Sequence, residues 1–334
     1  MLYKKEDYAL NAVIYGCGVM GGAHAAAYQK EGIQIVGVCD QQIEKAESLA
    51  KKTVCRSYNE LEMMLLEEKP DVISICTPAG SHATAAILAA KHGCGILCEK
   101  PFTWDLAEAK TAAKIIQKLG VPFRLGFKMR YEDVYREAIS VIKSGKIGKP
   151  HNLFISHYQP LSEPAWYMDV GVTTELLIHA IDISCLIMSE APLEVRMVSE
   201  NRLGYLGEDQ AYIVLSFSEG RKAFIAGGYM PGYPQVRGKH DFVFQFLCEE
   251  GYVSGKRNGN IDVFSPEGVS HYTPTAENAF ALEIRDFIKT ASGIPSGGAT
   301  LHDAMISQSV LAAALYSAQS NSTIPIQYSY SEEE

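Results

Sequence analysis

The segment from Ala12 to Asp40 constrains the fold more than any other part of the chain. A β-branched run, Ala12-Val13-Ile14-Tyr15, leads into Gly16-Cys17-Gly18-Val19-Met20-Gly21, and a helix-periodic stretch over residues 20 to 30 follows at once. A second strand-like run, Ile33 to Val38, precedes Asp40. Strand, glycine-rich turn, helix and strand in this order form a βαβ unit with parallel strands and a right-handed crossover. The first glycine of such a turn permits the tight bend, the second lets a pyrophosphate approach the backbone, and the third lets helix and strand pack closely. Gly16, Gly18, Val19 and Met20 therefore frame a helix N-terminus suited to phosphate. Asp40 lies 22 residues after Gly18, where an acid accepts hydrogen bonds from the adenosine ribose. Asp40-Gln41-Gln42 offers no Arg or Lys for a 2′-phosphate, and a carboxylate repels one, so NAD is expected in preference to NADP. A glycine-rich turn that binds nothing is the plainer alternative; the strand before it, the helix after it and the acid beyond argue against that.

The alternation continues. Asp71 to Cys76 reads as a strand before a helix at Ser81–His92, and Ile96-Leu97-Cys98 as a strand before Leu106–Leu119. Strands alternating with helices of this length build a buried parallel sheet. After Phe123 to Phe127 the pattern changes. A helix at residues 132–144 is followed by strand-like runs at 193–199, 211–217 and 222–227, which suggest an antiparallel sheet, and helices close the chain at about 276–291 and 301–319. With 334 residues there is room for two cores. The expected domains are 1–126, a Rossmann-type α/β domain, and 127–334, an α+β domain for substrate and assembly. The last ten residues, ending Ser-Glu-Glu-Glu, are expected to fray.

Charge and composition exclude several function classes. A net charge of -9 leaves no basic field for a nucleic-acid backbone. No apolar run approaches the roughly 20 residues of a membrane span, and MLYKKEDYAL lacks the apolar centre of a signal peptide. The eight cysteines are scattered without a CxxC pair or a His/Cys cluster, so no metal is expected and the thiols read as reduced, in the cytoplasm.

Ligands of open α/β sheets bind at the carboxyl ends of the strands. Thr77-Pro78, with His82 four residues on, ends one strand there, although Thr77 can also be read as a helix cap. Gly95-Ile96-Leu97-Cys98 delivers Glu99 and Lys100 side by side, closed by Pro101. Lys and Glu are depleted from buried strands, so these two are either solvated loop residues or functional ones.

In the second half, TTELLIHAIDISCLIM (173–188) reads as one helix with Thr173 or Thr174 at its N-cap. Glu175, His179 and Asp182 share a face, and Leu176, Leu177, Ile178, Ile181 and Ile183 cover the rest. That stripe admits a histidine satisfied by a neighbouring carboxylate, a divalent-metal site, or an acid/base pair.

GCGVMGGAH (16–24), VGVCD (36–40), ICTPAGSH (75–82) and CEKP (98–101) occur in the order and spacing of the Gfo/Idh/MocA oxidoreductases, the glucose–fructose oxidoreductase and inositol dehydrogenase family. The chain resembles that family from about residue 11 to 326. The glycine motif is shared by many folds; E-K-P is far more specific. The resemblance implies an N-terminal Rossmann domain, a C-terminal domain on a large open antiparallel sheet, and NAD-dependent oxidation or reduction of one secondary carbon of a sugar or cyclitol. It implies that Lys100 is the catalytic lysine, that His179 is the acid/base, that Glu175 orients the imidazole or the substrate, and that Glu99 stands by the cofactor. A cis Lys100–Pro101 bond is compatible with the family's tight turn, although X–Pro bonds are cis only about 5–6% of the time and trans stays the default.

Two positions depart from the family pattern: Glu175 stands where it usually has Asp, and Leu177 where it has Gly, which puts the substrate in doubt. Sugar-facing aromatics are expected among His157, Tyr158, Trp166 and Tyr167, with Asp182 nearby. Arg130 is expected to meet a phosphate or carboxylate, or to form an interdomain ion pair. The resemblance also admits a redox-neutral glycosidase or lyase and a cofactor-sensing regulator; retention of both Lys100 and His179 argues against the regulator. The sheet's broad face suggests a homodimer or homotetramer.

Overall fold

The computed structural model describes residues 10–161, 166–230, 241–273 and 277–328. In chain order the elements are β1 (Asn11–Tyr15), α1 (Val19–Glu31), β2 (Gln34–Cys39), α2 (Ile43–Thr53), β3 (Arg56–Tyr58), α3 (Leu61–Glu68), β4 (Val72–Ile75), α4 (His82–Lys91), β5 (Gly95–Glu99), α5 (Leu106–Leu119) and β6 (Phe123–Gly126). There follow α6 (Asp133–Lys143), β7 (Pro150–Pro160), α7 (Ile178–Met188), β8 (Glu194–Glu200), β9 (Gln210–Ser216), β10 (Lys222–Met230), β11 (Asp241–Cys248), β12 (Gly251–Lys256), β13 (Ile261–Ser265) and β14 (Gly268–Tyr272). The chain continues through α8 (Ala279–Ala291), α9 (Leu301–Ser320) and β15 (Ile324–Pro325). No helix among the described residues is long and apolar enough to cross a membrane.

Two compact units divide the chain: Met1–Tyr131 with Glu277–Gln308, and Glu132–Ala276 with Ser309–Glu334. The break at Tyr131 lies close to the one read from the sequence at residue 126, but residues 277–308 return to the first unit. Their return has a visible cause. Ile284, Phe287 and Ile288 of α8 are buried in the same cluster as Ala25 and Tyr28 of α1, and Arg285 pairs with Glu31 at 2.8 Å.

In the first unit β3-β2-β1-β4-β5-β6 form a parallel six-stranded sheet. The strand order reverses between β1 and β4, the switch point where nucleotides bind in doubly wound folds. β4 and β5 are buried at every residue, which is why they read as continuous apolar runs instead of alternating ones.

The second unit carries a nine-stranded sheet in the order β14-β13-β12-β11-β7-β10-β9-β8-β15. All pairings are antiparallel except β7 with β10, which run parallel. Leu153, Ile155 and His157 of β7 are buried, and α7 packs on β7 and β10. The alternate residues, Phe154, Ser156 and Tyr158, point to the other face. That face is apolar and open: Phe154 stacks on Phe224, with Tyr212, Val214 and Val243 alongside.

Candidate functional site

The three glycines of the motif after β1, two in the loop and Gly21 in the first turn of α1, have separate jobs. Gly16 has φ +97°, and a Cβ there would lie 2.6 Å from the Cys76 carbonyl carbon. A Cβ on Gly21 would overlap the Gly16 carbonyl oxygen, so this glycine seats α1 against the loop. Gly18 is the N-cap of α1; no side chain caps that turn, and the space beside its Cα is open. An open cradle at amides lacking a side-chain partner fits a dinucleotide's pyrophosphate. Val19, 89% exposed, stands at its rim, and Met20 is half-buried.

Asp40 follows β2. Its Oδ2 accepts the Cys17 amide at 2.8 Å and its Oδ1 the Gln42 amide at 2.9 Å. Each oxygen keeps a lone pair for a ribose hydroxyl.

The loops after β4 and β5 meet at His82. Its Nε2 lies 2.7 Å from the Thr77 carbonyl oxygen and its Nδ1 2.9 Å from that of Pro101. The ring is buried, and desolvation lowers its pKa despite those carbonyls. A neutral imidazole donates from one nitrogen only, so His82 hydrogen-bonds one of these two carbonyls and its other nitrogen lies against the second. Thr77 is not a helix cap; its Oγ1 accepts from Ser81 Oγ at 2.7 Å. Pro78 is exposed.

The Lys100–Pro101 bond is cis, and Lys100 is half-buried. Glu99 turns inward: Oε1 lies 3.0 Å from His24 Nε2, and Oε2 accepts the Lys100 amide at 3.2 Å. Burial pushes the Glu99 carboxyl up, but the His24 hydrogen bond, the His24 charge and Lys100 outweigh it and hold the carboxyl below its usual range. Sequence reasoning missed two neighbours. Trp104, 55% exposed, lays its ring over Gly80 beside Thr77-Pro78. Glu283 of α8 is buried, and neither carboxyl oxygen has a hydrogen-bond partner. Burial, then the charge of Glu99, push Glu283 well above the ordinary carboxyl range, against a lowering by Lys128. An isolated Trp after E-K-P was the available signal for the first; nothing local marked the second.

Arg130 also belongs to this unit, where it is buried and pairs with Asp303 at 3.5 Å.

In the second unit the stretch 173–188 departs from a simple helix. Thr173–Leu177 forms a π turn, and α7 starts only at Ile178. Neither threonine is the N-cap: Val172 precedes the turn, the Glu208 carboxylate accepts the Thr173 amide at 2.8 Å, and the Thr173 hydroxyl goes to Met197 Sδ. His179 and Asp182 are buried at 6% and 2% exposure, whereas Glu175 stays partly exposed. A Cβ on Gly227 of β10 would overlap Leu177 Cδ2, so Leu177 fills the space that this glycine leaves. Tyr229 beside them is buried with its hydroxyl lacking a hydrogen-bond partner; burial, then Glu175, push its pKa up.

The aromatic residues expected to line one pocket separate. His157 is fully buried, with Nε2 2.7 Å from the Tyr135 hydroxyl and its ring 4.3 Å from that of Phe242. It packs in the core. Tyr158, the next residue on the strand, points to the opposite sheet face, where burial and then Tyr212 raise its pKa. Adjacent strand residues cannot line one wall. Tyr167 packs on Tyr229 at 5.1 Å. Trp166 opens a 3-10 turn, and its side chain lies outside the described residues. Among the described residues no group of three or more His, Cys, Asp and Glu is arranged to hold a metal ion.

Comparison with known proteins finds one family in both parts of the chain. Residues 10–127 match the family model described as "Oxidoreductase family, NAD-binding Rossmann fold", and residues 135–254 match the GFO/IDH/MocA C-terminal domain. Inositol 2-dehydrogenase 1 of Mycolicibacterium vanbaalenii is 28% identical over 193 residues, 57% of this chain and 56% of that protein, so the match spans little more than half its length. The scyllo-inositol 2-dehydrogenase (NAD(+)) of Bacillus subtilis is 25% identical, covering 84% of this chain and 86% of that protein. An oxidoreductase from Agrobacterium radiobacter, solved with NAD+, L-tartaric acid and magnesium, shares the fold with a TM-score of 0.86. It is 18% identical, covering 95% of this chain and 98% of that one.

Proposed function

Because the chain belongs to the Gfo/Idh/MocA oxidoreductase family, we propose that it catalyses hydride transfer between NAD and a secondary alcohol or ketone of a sugar, sugar derivative or cyclitol. The observation that carries this reading is Lys100 at the carboxyl end of β5, in the same sheet whose β1 carries the glycine loop. Gly16, Gly18, Val19, Met20 and Asp40 are the residues assigned to hold NAD, which supplies the hydride acceptor when bound. The Lys100 ammonium stabilises charge developing on the reacting oxygen. His179 takes the substrate's hydroxyl proton, and Glu175 orients either the imidazole or the substrate. Tyr167 and Trp166 are assigned to the sugar ring. His157, Tyr158 and Arg130 are left out, since the first is a core side chain, the second faces the open sheet surface and the third pairs with Asp303.

The inositol dehydrogenase relative supports cyclitols as the first substrates to try. We assign assembly as a homodimer or homotetramer to the apolar sheet face around Phe154 and Val243. Eight free cysteines suit a reducing, cytoplasmic setting.

The test is NADH absorbance with NAD and a panel of myo-inositol, scyllo-inositol, aldoses, sugar acids and glycosides. Accumulating NADH with a polyol supports the reading. Product without net NADH identifies a redox-neutral glycosidase or lyase, and no turnover of any panel member, with NAD still bound, leaves a cofactor-sensing regulator; either result overturns it.

A further inference from the structure

The end of β5 is held from inside the first unit. Glu99 is the last residue of the strand, and its two carboxylate oxygens face His24 Nε2 and the Lys100 amide. His24 stands on α1, and its Nδ1 lies 3.0 Å from Ser74 Oγ on β4. Ser74 Oγ is in turn 2.9 Å from the hydroxyl of Tyr28, one turn further along α1. His24, Tyr28 and Ser74 are fully buried and Glu99 is 6% exposed.

An ionised Glu99 only accepts, so His24 Nε2 donates to it. Ser74 Oγ then joins His24 Nδ1 to the Tyr28 hydroxyl. A connected series of four buried groups, ending on the backbone of one residue, is more than packing demands, since buried polar groups need justification by their bonds.

We propose that His24 and Glu99 are positioning residues for Lys100, fixing the strand end that carries its side chain and coupling it to α1, the helix that starts at the glycine loop. The proposal rests on the role given to Lys100 above. Glu283 from α8, His82 from α4, Cys76 after β4, Cys98 within β5 and Lys100 itself also face the Glu99 carboxylate. His24 is the side chain that bonds its Oε1.

The test compares His24→Leu, His24→Gln and Glu99→Gln in the full chain. In His24→Leu and Glu99→Gln the Lys100 amide should exchange with solvent about 10-fold faster, while Ile14 and Val72 keep their protection. Turnover of the best polyol from the NADH screen should fall about 10- to 100-fold, with NAD affinity held within about two-fold. His24→Gln, which keeps a donor near Nε2, should recover part of both. In His24→Leu burial acts on Glu99 without the imidazole, so the acid limb of the turnover profile should move to higher pH, a shift that mere packing would not produce. Parental exchange and parental turnover in folded His24→Leu and Glu99→Gln overturn the proposal; if His24→Leu fails to fold, the isosteric Glu99→Gln decides alone. Full turnover in Lys100→Met would instead sink the functional reading, and the Lys100 amide would still report on the positioning.

Discussion

The Asp40 carboxylate lies 2.8 Å from the amide nitrogen of Cys17, so the acid that ends β2 is bonded into the glycine loop that follows β1. The side chain proposed to select the cofactor therefore also helps to shape the loop. Asp40→Ser combined with Gln41→Arg should move the ratio of NAD to NADP affinity by about 10- to 100-fold toward NADP. Titration calorimetry with both dinucleotides measures this. Tighter binding of NADP by the unaltered protein would contradict the reading of Asp40.

Lys100 and His179 should differ in kind. Lys100→Met should lower turnover by about two to four orders of magnitude with NAD affinity nearly unchanged, because the lost interaction belongs to the transition state. His179→Ala should also slow turnover, and rising pH should return part of the loss as hydroxide substitutes for the base. Glu175→Gln should have the smaller effect if the carboxylate orients the ring. Steady-state rates across pH separate the three, and a His179→Ala profile parallel to the parent's removes the imidazole from the mechanism.

Glu283 gives the fold a pH dependence of predictable sign. A carboxyl whose pKa is raised by burial takes up a proton on folding. Its contribution is complete below the ordinary carboxyl range and is lost as pH rises, at up to about 1.4 kcal/mol per pH unit. Glu283→Gln removes that loss. Its melting temperature should exceed the parent's by roughly 2–4 °C per kcal/mol at alkaline pH, with the two curves converging near pH 5. Parallel curves across the range would show that Glu283 is ionised in the folded state.

Asp303 should behave in the opposite way. Burial raises its pKa, but Arg130 and the Thr300 hydrogen bonds outweigh this and hold the carboxyl below its usual range. Its contribution is present at neutral pH and is lost as pH falls through the acid range. Allowing for the partial exposure of Asp303, Asp303→Asn should cost about 1–2 kcal/mol at neutral pH and less in acid. Urea unfolding at both pH values tests it; an equal cost in acid would exclude the ion pair as the source.

The open sheet face predicts an assembly. Phe154 and Val243 are 41% and 39% exposed, and Phe154 stacks on Phe224 at 5.0 Å. Phe154→Asp with Val243→Lys should reduce the mass measured by light scattering to that of one chain without lowering the melting temperature below that of a folded monomer. An unaltered protein that is already monomeric at micromolar concentration would end this assignment.

The first sheet was legible because its signals are local. Each strand is a short apolar run, each helix follows directly, and Gly16 and Gly18 sit between β1 and α1, with Gly21 in the first turn of that helix. The second unit hid more. Its β7–β10 pairing joins strands about seventy residues apart, and the π turn at Thr173–Leu177 has no compositional mark. The return of α8 to the first unit depends on Ile284 and Phe287 finding α1, a contact no window of sequence contains. His157 and Tyr158 separate for a simpler reason: successive residues of a strand that begins at Pro150 face opposite sides of the sheet. The sequence places Glu99 beside the cofactor, whereas its bond to His24 depends on the packing of α1 on the sheet.

Leu177 and Gly227 occupy one volume between them. Neither position can be judged alone. A library that randomises Gly227 while holding Leu177 would score the glycine as irreplaceable, and one that restores glycine at 177 would score the change as a void. Shortening 177 does not make room for a larger residue at 227, because a Cβ there would also lie 2.4 Å from the His157 backbone oxygen of the neighbouring strand. Any attempt to graft a relative's substrate preference through the Leu177 position has to refill that space from a residue other than 227, which the strand backbone holds to glycine.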